Sequence, residues 1–208
     1  MQTYYTRATF QSLLDAMIPP TFTTDTCGIT RSLGAVDIRL EDYVLWVLDD
    51  KLAPRLGLNE MPFNLSDSTA YVLDIAANQL IQNNQAIMVH NDPIFPGGWF
   101  TTLSRRDRLK AVMILEGLKV NVENLPFPYT NNPGFLLNMM DGLNRLILFG
   151  FYSEWIGYGE ARFHPTTYQL AFLPPSWLQV GYPGPSFGYR DFRGYLLKMD
   201  HQGGVSYA

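Results

Sequence analysis

A single cysteine, Cys27, in a chain of 208 residues leaves no internal disulfide, no Cys-x-x-Cys metal knuckle, no haem-attachment motif and no thiol-ligated iron–sulfur cluster. Charge is also scarce: Asp, Glu, Lys and Arg make up 16% of the residues, against about 25% in an average globular protein. The balance is −4, and a chain without a basic footprint is not expected to bind nucleic acid, because counterion release from phosphates needs one. The dense basic cluster Arg105-Arg106-Asp107-Arg108-Leu109-Lys110 opens a helical pattern and reads as a solvated helix face. Long apolar runs are missing, since no stretch approaches the roughly 18 residues of a membrane span. The N-terminal residues show no basic segment followed by an apolar core. The expectation is a cytoplasmic chain without direct membrane insertion, with export alongside a partner left open.

Catalytic signatures are missing as well. There is no Gly-x-Ser-x-Gly elbow, Gly-x-Gly-x-x-Gly turn or Walker loop. Three histidines, His90, His164 and His201, never fall at i, i+3 or i+4 spacing, so no helical metal pair exists. His90-Asn91-Asp92 reads either as a loop ligand cluster or as a turn before Pro93. Glu41-Asp42 and Asp49-Asp50 are adjacent carboxylates that point in different directions on a helix, and they fall on the expected solvent side of its apolar stripe. No catalytic, cofactor-binding or metal-binding residue is assigned within the chain.

What the chain does have is aromatic residues, 14% of the total, together with helical periodicity. Phe10, Leu13, Leu14 and Met17 form a first amphipathic helix that Pro19-Pro20 stops, and a Thr-rich loop from Thr21 to Thr30 follows. Val36, Leu40, Tyr43, Val44, Val47 and Leu48 form a second helix ending near Pro54 and Gly57. A third is expected from Asp67 to about Met88, with Ser66, Asp67 or Ser68 as its N-cap. Ser104 opens a fourth, with Asp107 at the N3 position of a capping-box variant. A fifth, Gly134 to Phe149, carries apolar residues around most of its circumference and is expected at the centre of the bundle. Beyond Gly150 regular periodicity stops, although short strands fit within Tyr168 to Leu173 and Tyr195 to Met199. The fold class is all-α: one domain over residues 1–208, with a bundle of about five helices (1–150) and an irregular aromatic, Gly- and Pro-rich wrap (151–208).

Within that wrap, Trp177, Tyr182, Phe187 and Tyr189 alternate with Pro183, Gly184, Pro185 and Gly188. Flexible linkers are poor in aromatics, so this tract is a rigid loop that packs against something. Two surfaces are open to it. Trp177 and Tyr182 either anchor the wrap on the long helix near Phe149 to Tyr152, or present the Pro183-Gly184-Pro185 turn to another chain.

Three pieces carry a family resemblance. They are Leu13-Leu14-Asp15-Ala16-Met17-Ile18-Pro19-Pro20-Thr21, the Arg-rich helix from Leu103 to Glu116, and Phe151-Tyr152-Ser153 followed by Trp177 and Gly181-Tyr182-Pro183-Gly184-Pro185. Together they resemble the small subunit (subunit 3, or gamma) of gluconate 2-dehydrogenase. The resemblance implies a small helical partner of a large flavoprotein dehydrogenase of the glucose-methanol-choline class. FAD and substrate would sit in the large subunit, and no cofactor or catalytic residue in this one. The family's Pro-Gly-Ala after the Ile-Pro stop is not matched, and its common twin-arginine leader has no counterpart before the first helix. The leading expectation is a non-catalytic accessory subunit supporting the folding or stability of such an enzyme. A self-assembling coat, layer or crystal-forming protein is the alternative, motivated by low charge and abundant Tyr and Asn. A free-standing enzyme would require His90, Asp92 and His164 to converge.

Overall fold

The computed structural model describes residues 4–24, 30–58, 64–87, 97–164 and 170–182. The first helix, α1 (Tyr4–Met17), stops where expected: the Ile18 amide still reaches Leu14 O, and Pro19 and Pro20 then offer no donor. Its burial is broader than its apolar stripe, because Thr6, Thr9, Ser12 and Asp15 are buried along with Phe10, Leu13 and Leu14. The expected Thr-rich loop contains an antiparallel hairpin, β1 (Thr21–Thr24) and β2 (Thr30–Leu33), with Thr21 opposite Leu33. Threonine's branched Cβ suits a pleated backbone and explains the difference. Gly34 follows because a Cβ there would lie 2.7 Å from Pro20 N.

The second helical run is α2 (Leu40–Trp46), a wider π-helical turn (Val47–Leu52) and α3 (Ala53–Arg55). Pro54 has no amide to return to Asp50, and the backbone widens just ahead of it. Helix α4 (Leu65–Gln82) starts earlier and ends sooner than the sequence pattern predicts. None of Ser66, Asp67 or Ser68 is its N-cap, which is Asn64. The carboxylate of Asp49 reaches across to accept from the Ser66 amide at 2.9 Å and the Ser66 hydroxyl at 2.8 Å. At the other end Asn84 adopts φ 54°, the Asn84 amide bonds Ile81 O and the Gln85 amide bonds Leu80 O. This is a Schellman closure, and it cuts the helix short of Met88, which lies outside the described residues.

Helices α5 (Trp99–Thr102) and α6 (Arg105–Glu116) follow. The anticipated cap of α6 is present: Ser104 Oγ accepts from the Asp107 amide and donates to its carboxylate. Helix α7 (Pro133–Tyr152) is opened by Asn132, whose side chain accepts from the Phe135 amide. A 3-10 segment (Trp155–Ala161) and the short α8 (Pro175–Gln179) complete the described chain.

The molecule is mostly helical, around one continuous apolar core running from Phe10 to Trp155. Helices α1 and α4 are its centre, packing on each other and on α5 and α6. Helix α7 does not take the central place its composition suggests. It lies on the outside against α2 and α6, with Leu136, Met139, Met140, Leu143, Ile147 and Phe151 turned inward and Leu137, Leu148, Phe149 and Tyr152 exposed. The interior is already filled by α1 and α4, so only one face of α7 finds a partner. Among the described residues no helix is long and apolar enough to cross a membrane.

Candidate functional site

Of the two surfaces open to the aromatic tract, Trp177 takes the internal one. It is 7% exposed, and its indole Nε1 donates to Tyr152 O at 2.7 Å across the end of α7. Tyr182 closes the turn: its amide bonds Trp177 O at 2.8 Å, and the two rings meet edge-on at 4.9 Å. Pro183, Gly184, Pro185, Phe187 and Tyr189 lie outside the described residues.

This anchoring assembles an apolar face. Phe149 on α7 is 67% exposed, and Tyr152, Leu178, Val180 and Tyr182 are exposed around the Trp177 pin. Hairpin residue Phe22 is also exposed, and its neighbour Thr21 accepts a hydrogen bond from Gln179 in α8. The segment that builds most of the face carries no Asp, Glu, Lys or Arg from Phe163 to Tyr189. Apolar and uncharged together is the composition of an interface centre, where charge is depleted and aromatics are enriched.

Five charged residues among those described, Asp15, Glu41, Asp42, Asp107 and Arg108, are by contrast drawn inward. The expectation that Glu41 and Asp42 face solvent is overturned: they are 2% and 8% exposed. Arg7 from α1 bonds Asp42 at 2.7 Å and Glu41 at 3.3 Å, and Gln11 donates to Glu41 at 2.9 Å. Arg39 and Arg162 each reach Asp42 at 3.2 Å. Of the second pair, Asp49 holds the start of α4 and Asp50 is exposed. The basic cluster is corrected in the same way. Arg105 and Arg106 are exposed, but Asp107 and Arg108 are buried. Arg108 donates to Asp15, Ser12 O, Phe100 O and Thr101 O, and so ties α6 to α1 and α5. Burial lowers the pKa of Arg108, opposed by Asp15, whereas the hydrogen bond to Asp15 raises that of Arg105. Buried charges persist only when paired in this way.

An open cleft of about 400 Å³ lies beside Arg7 and Asp42, bounded by Trp46, Asp50, Phe163 and His164. Its aromatic walls are already occupied by cations: Lys51 lies 4.7 Å over Trp46, and Arg162 lies 5.2 Å over Phe163. Among the described residues its lining holds no Ser, Thr or Cys beside His164. His90, Asp92, His201 and Cys27 lie outside the described residues, and with them the convergence a free-standing enzyme requires.

A second opening, about 340 Å³, runs between α6 and α7. Its floor is core: Leu13, Leu73, Met140 and Leu143 are buried. Leu109, Met113 and Leu148 form exposed walls, and Glu116 and Asn144 are the polar lining groups. Sequence periodicity did not single it out, but α6 carries a signal. Ala111, Ile114 and Leu115 form its buried face, while Leu109, Met113 and Glu116 repeat at i, i+4 and i+7 on another.

Scanned against known protein families, curated proteins and solved structures, the chain found no match.

Proposed function

We propose that this chain is a non-catalytic accessory subunit that docks on a larger FAD-dependent dehydrogenase of the glucose-methanol-choline type, the partner holding the flavin and substrate. The observation that carries the reading is the exposed, mostly aromatic face built by Phe149, Tyr152, Leu178 and Tyr182 at the end of α7. Further support comes from the pieces that resemble gluconate 2-dehydrogenase subunit 3. They are far apart in the chain yet adjoin in space: Trp177 is bonded to Tyr152, and Gln179 to Thr21. On this reading the motif is first a device for anchoring the wrap, and the face exposed beside it receives the partner.

The test is affinity isolation of the tagged chain from its native cells, read by flavin absorbance and by stoichiometry. A one-to-one complex with an FAD protein, lost on Phe149→Asp while the isolated chain stays folded, is the expected result. A chain isolated without flavin overturns the proposal. If that flavin-free material is a large homogeneous assembly by light scattering, and Phe149→Asp disperses it, the face serves self-assembly instead.

A further inference from the structure

We propose that the groove between α6 and α7 is a binding site for a small cationic amphiphile, with an apolar body seated on the core and an amine or quaternary ammonium group at Glu116. The site is separate from the docking reading and does not depend on it.

Size and depth come first. A volume of about 340 Å³ lies within the range of small-molecule sites, which helical bundles commonly place between helices. Because Leu73 and Leu143 at the floor are buried core residues, the apolar body of a guest is covered by the core itself. Met17, Met113 and Met140 contribute unbranched, polarisable side chains that adapt to an irregular apolar body.

Charge selects the head group. Among the described residues, Glu116 is the one charged residue in the lining; it is exposed and has no ion-pair partner there. It is also the last residue of α6, where the helix dipole is negative. The nearby cations are turned elsewhere. Arg145 pairs with Asp141 at 2.9 Å and Lys110 with Asp107 at 2.7 Å, while Arg106 and Lys119, the latter folded beside Gly117, are not among the lining residues. An anionic head at this mouth meets a carboxylate with no cation among the lining residues, whereas an ammonium group meets its counter-charge.

The experiment is isothermal titration of the full chain with decyltrimethylammonium and with decanoate, both well below micelle formation. The expected result is one saturable site, with the ammonium ligand bound about fivefold or more tightly than the carboxylate. Glu116→Gln should remove most of that preference, leaving the smaller part owed to the helix dipole, with chain binding in place. Met113→Lys, at a position 65% exposed and therefore tolerant, should weaken the ammonium ligand at least about fivefold. Helical circular dichroism checks that both variants fold. Non-saturable uptake, equal affinity for the two heads in the unaltered chain, or indifference to both substitutions overturns the proposal. None of these readouts requires a flavoprotein, so failure here leaves the docking test standing, and the reverse also holds.

Discussion

Helices α1 and α7 treat polarity in opposite ways. Helix α1 buries Asp15 between Arg105 and Arg108 and places Arg7 against two buried carboxylates, whereas α7, the more apolar of the two, leaves Leu148, Phe149 and Tyr152 in solvent. A helix in the middle of a bundle is touched on all sides, so its polar residues are buried with the rest and must find partners. A helix on the outside has one unpartnered face, whatever that face is made of. The buried polar side of α1 is therefore a matter of stability. The exposed apolar side of α7 adds little to the fold and is available for recognition.

The largest break in this contrast is expected from Asp15→Ala. Arg105 is half exposed and can turn to water, but Arg108 is 4% exposed and would be left charged without its carboxylate. A loss of about 3–5 kcal/mol is expected in urea unfolding. A loss below about 1 kcal/mol would show that the ion pair contributes little to holding α1 against α6.

Trp177→Ala should follow at about 3 kcal/mol or more, since it removes a buried ring and its bond to Tyr152 O. Trp177→Phe retains most of the area and should cost nearer 1 kcal/mol, the worth of that hydrogen bond. An unchanged melting temperature for the Ala variant would move the tract from the fold to an interface.

Asp74 sharpens the interior side through pH. Its Oδ1 accepts from the Phe100 amide at 2.9 Å and holds the start of α5, and burial raises its pKa despite that bond. The folded chain therefore keeps this proton to higher pH than the unfolded chain does. The group's contribution to stability is greatest in acid and declines as pH rises through the folded value. The stability of the unaltered chain relative to Asp74→Asn should accordingly grow as pH is lowered from neutral towards about 4. Urea titrations of both proteins across that range would measure it, and a gap that narrows instead would contradict the raised value.

The smallest stability effect belongs to the exposed side of α7. Phe149→Ser should change unfolding by no more than about 0.5 kcal/mol, because little of the ring is covered. A cost above about 2 kcal/mol would mean that Phe149 supports the fold and would remove the distinction between the two helices.

Much of the fold was legible because its signals are local. Pro19-Pro20 ends α1, and Ser104 and Asp107 cap α6 within one turn. The start of α4 was misplaced because its carboxylate partner, Asp49, lies 17 residues upstream of Ser66. The burial of Asp42 was hidden for the same reason, since Arg7 and Arg162 are 35 and 120 residues away. The candidate face is half visible in the sequence: the tract reads as packed, but the helix that carries Phe149 reads as the centre of the bundle.

From the sequence alone came the helical class, the end of α1, the cap of α6, the scarcity of charge and the packing of Trp177. These follow from residue type and short-range spacing, which set backbone conformation before any tertiary contact forms. Only the tertiary structure decided which helices lie inside, which carboxylates are buried with arginines, and which apolar side of α7 stays open. Periodicity sets the phase of a helix, but burial depends on what packs against each face, and those neighbours come from distant parts of the chain.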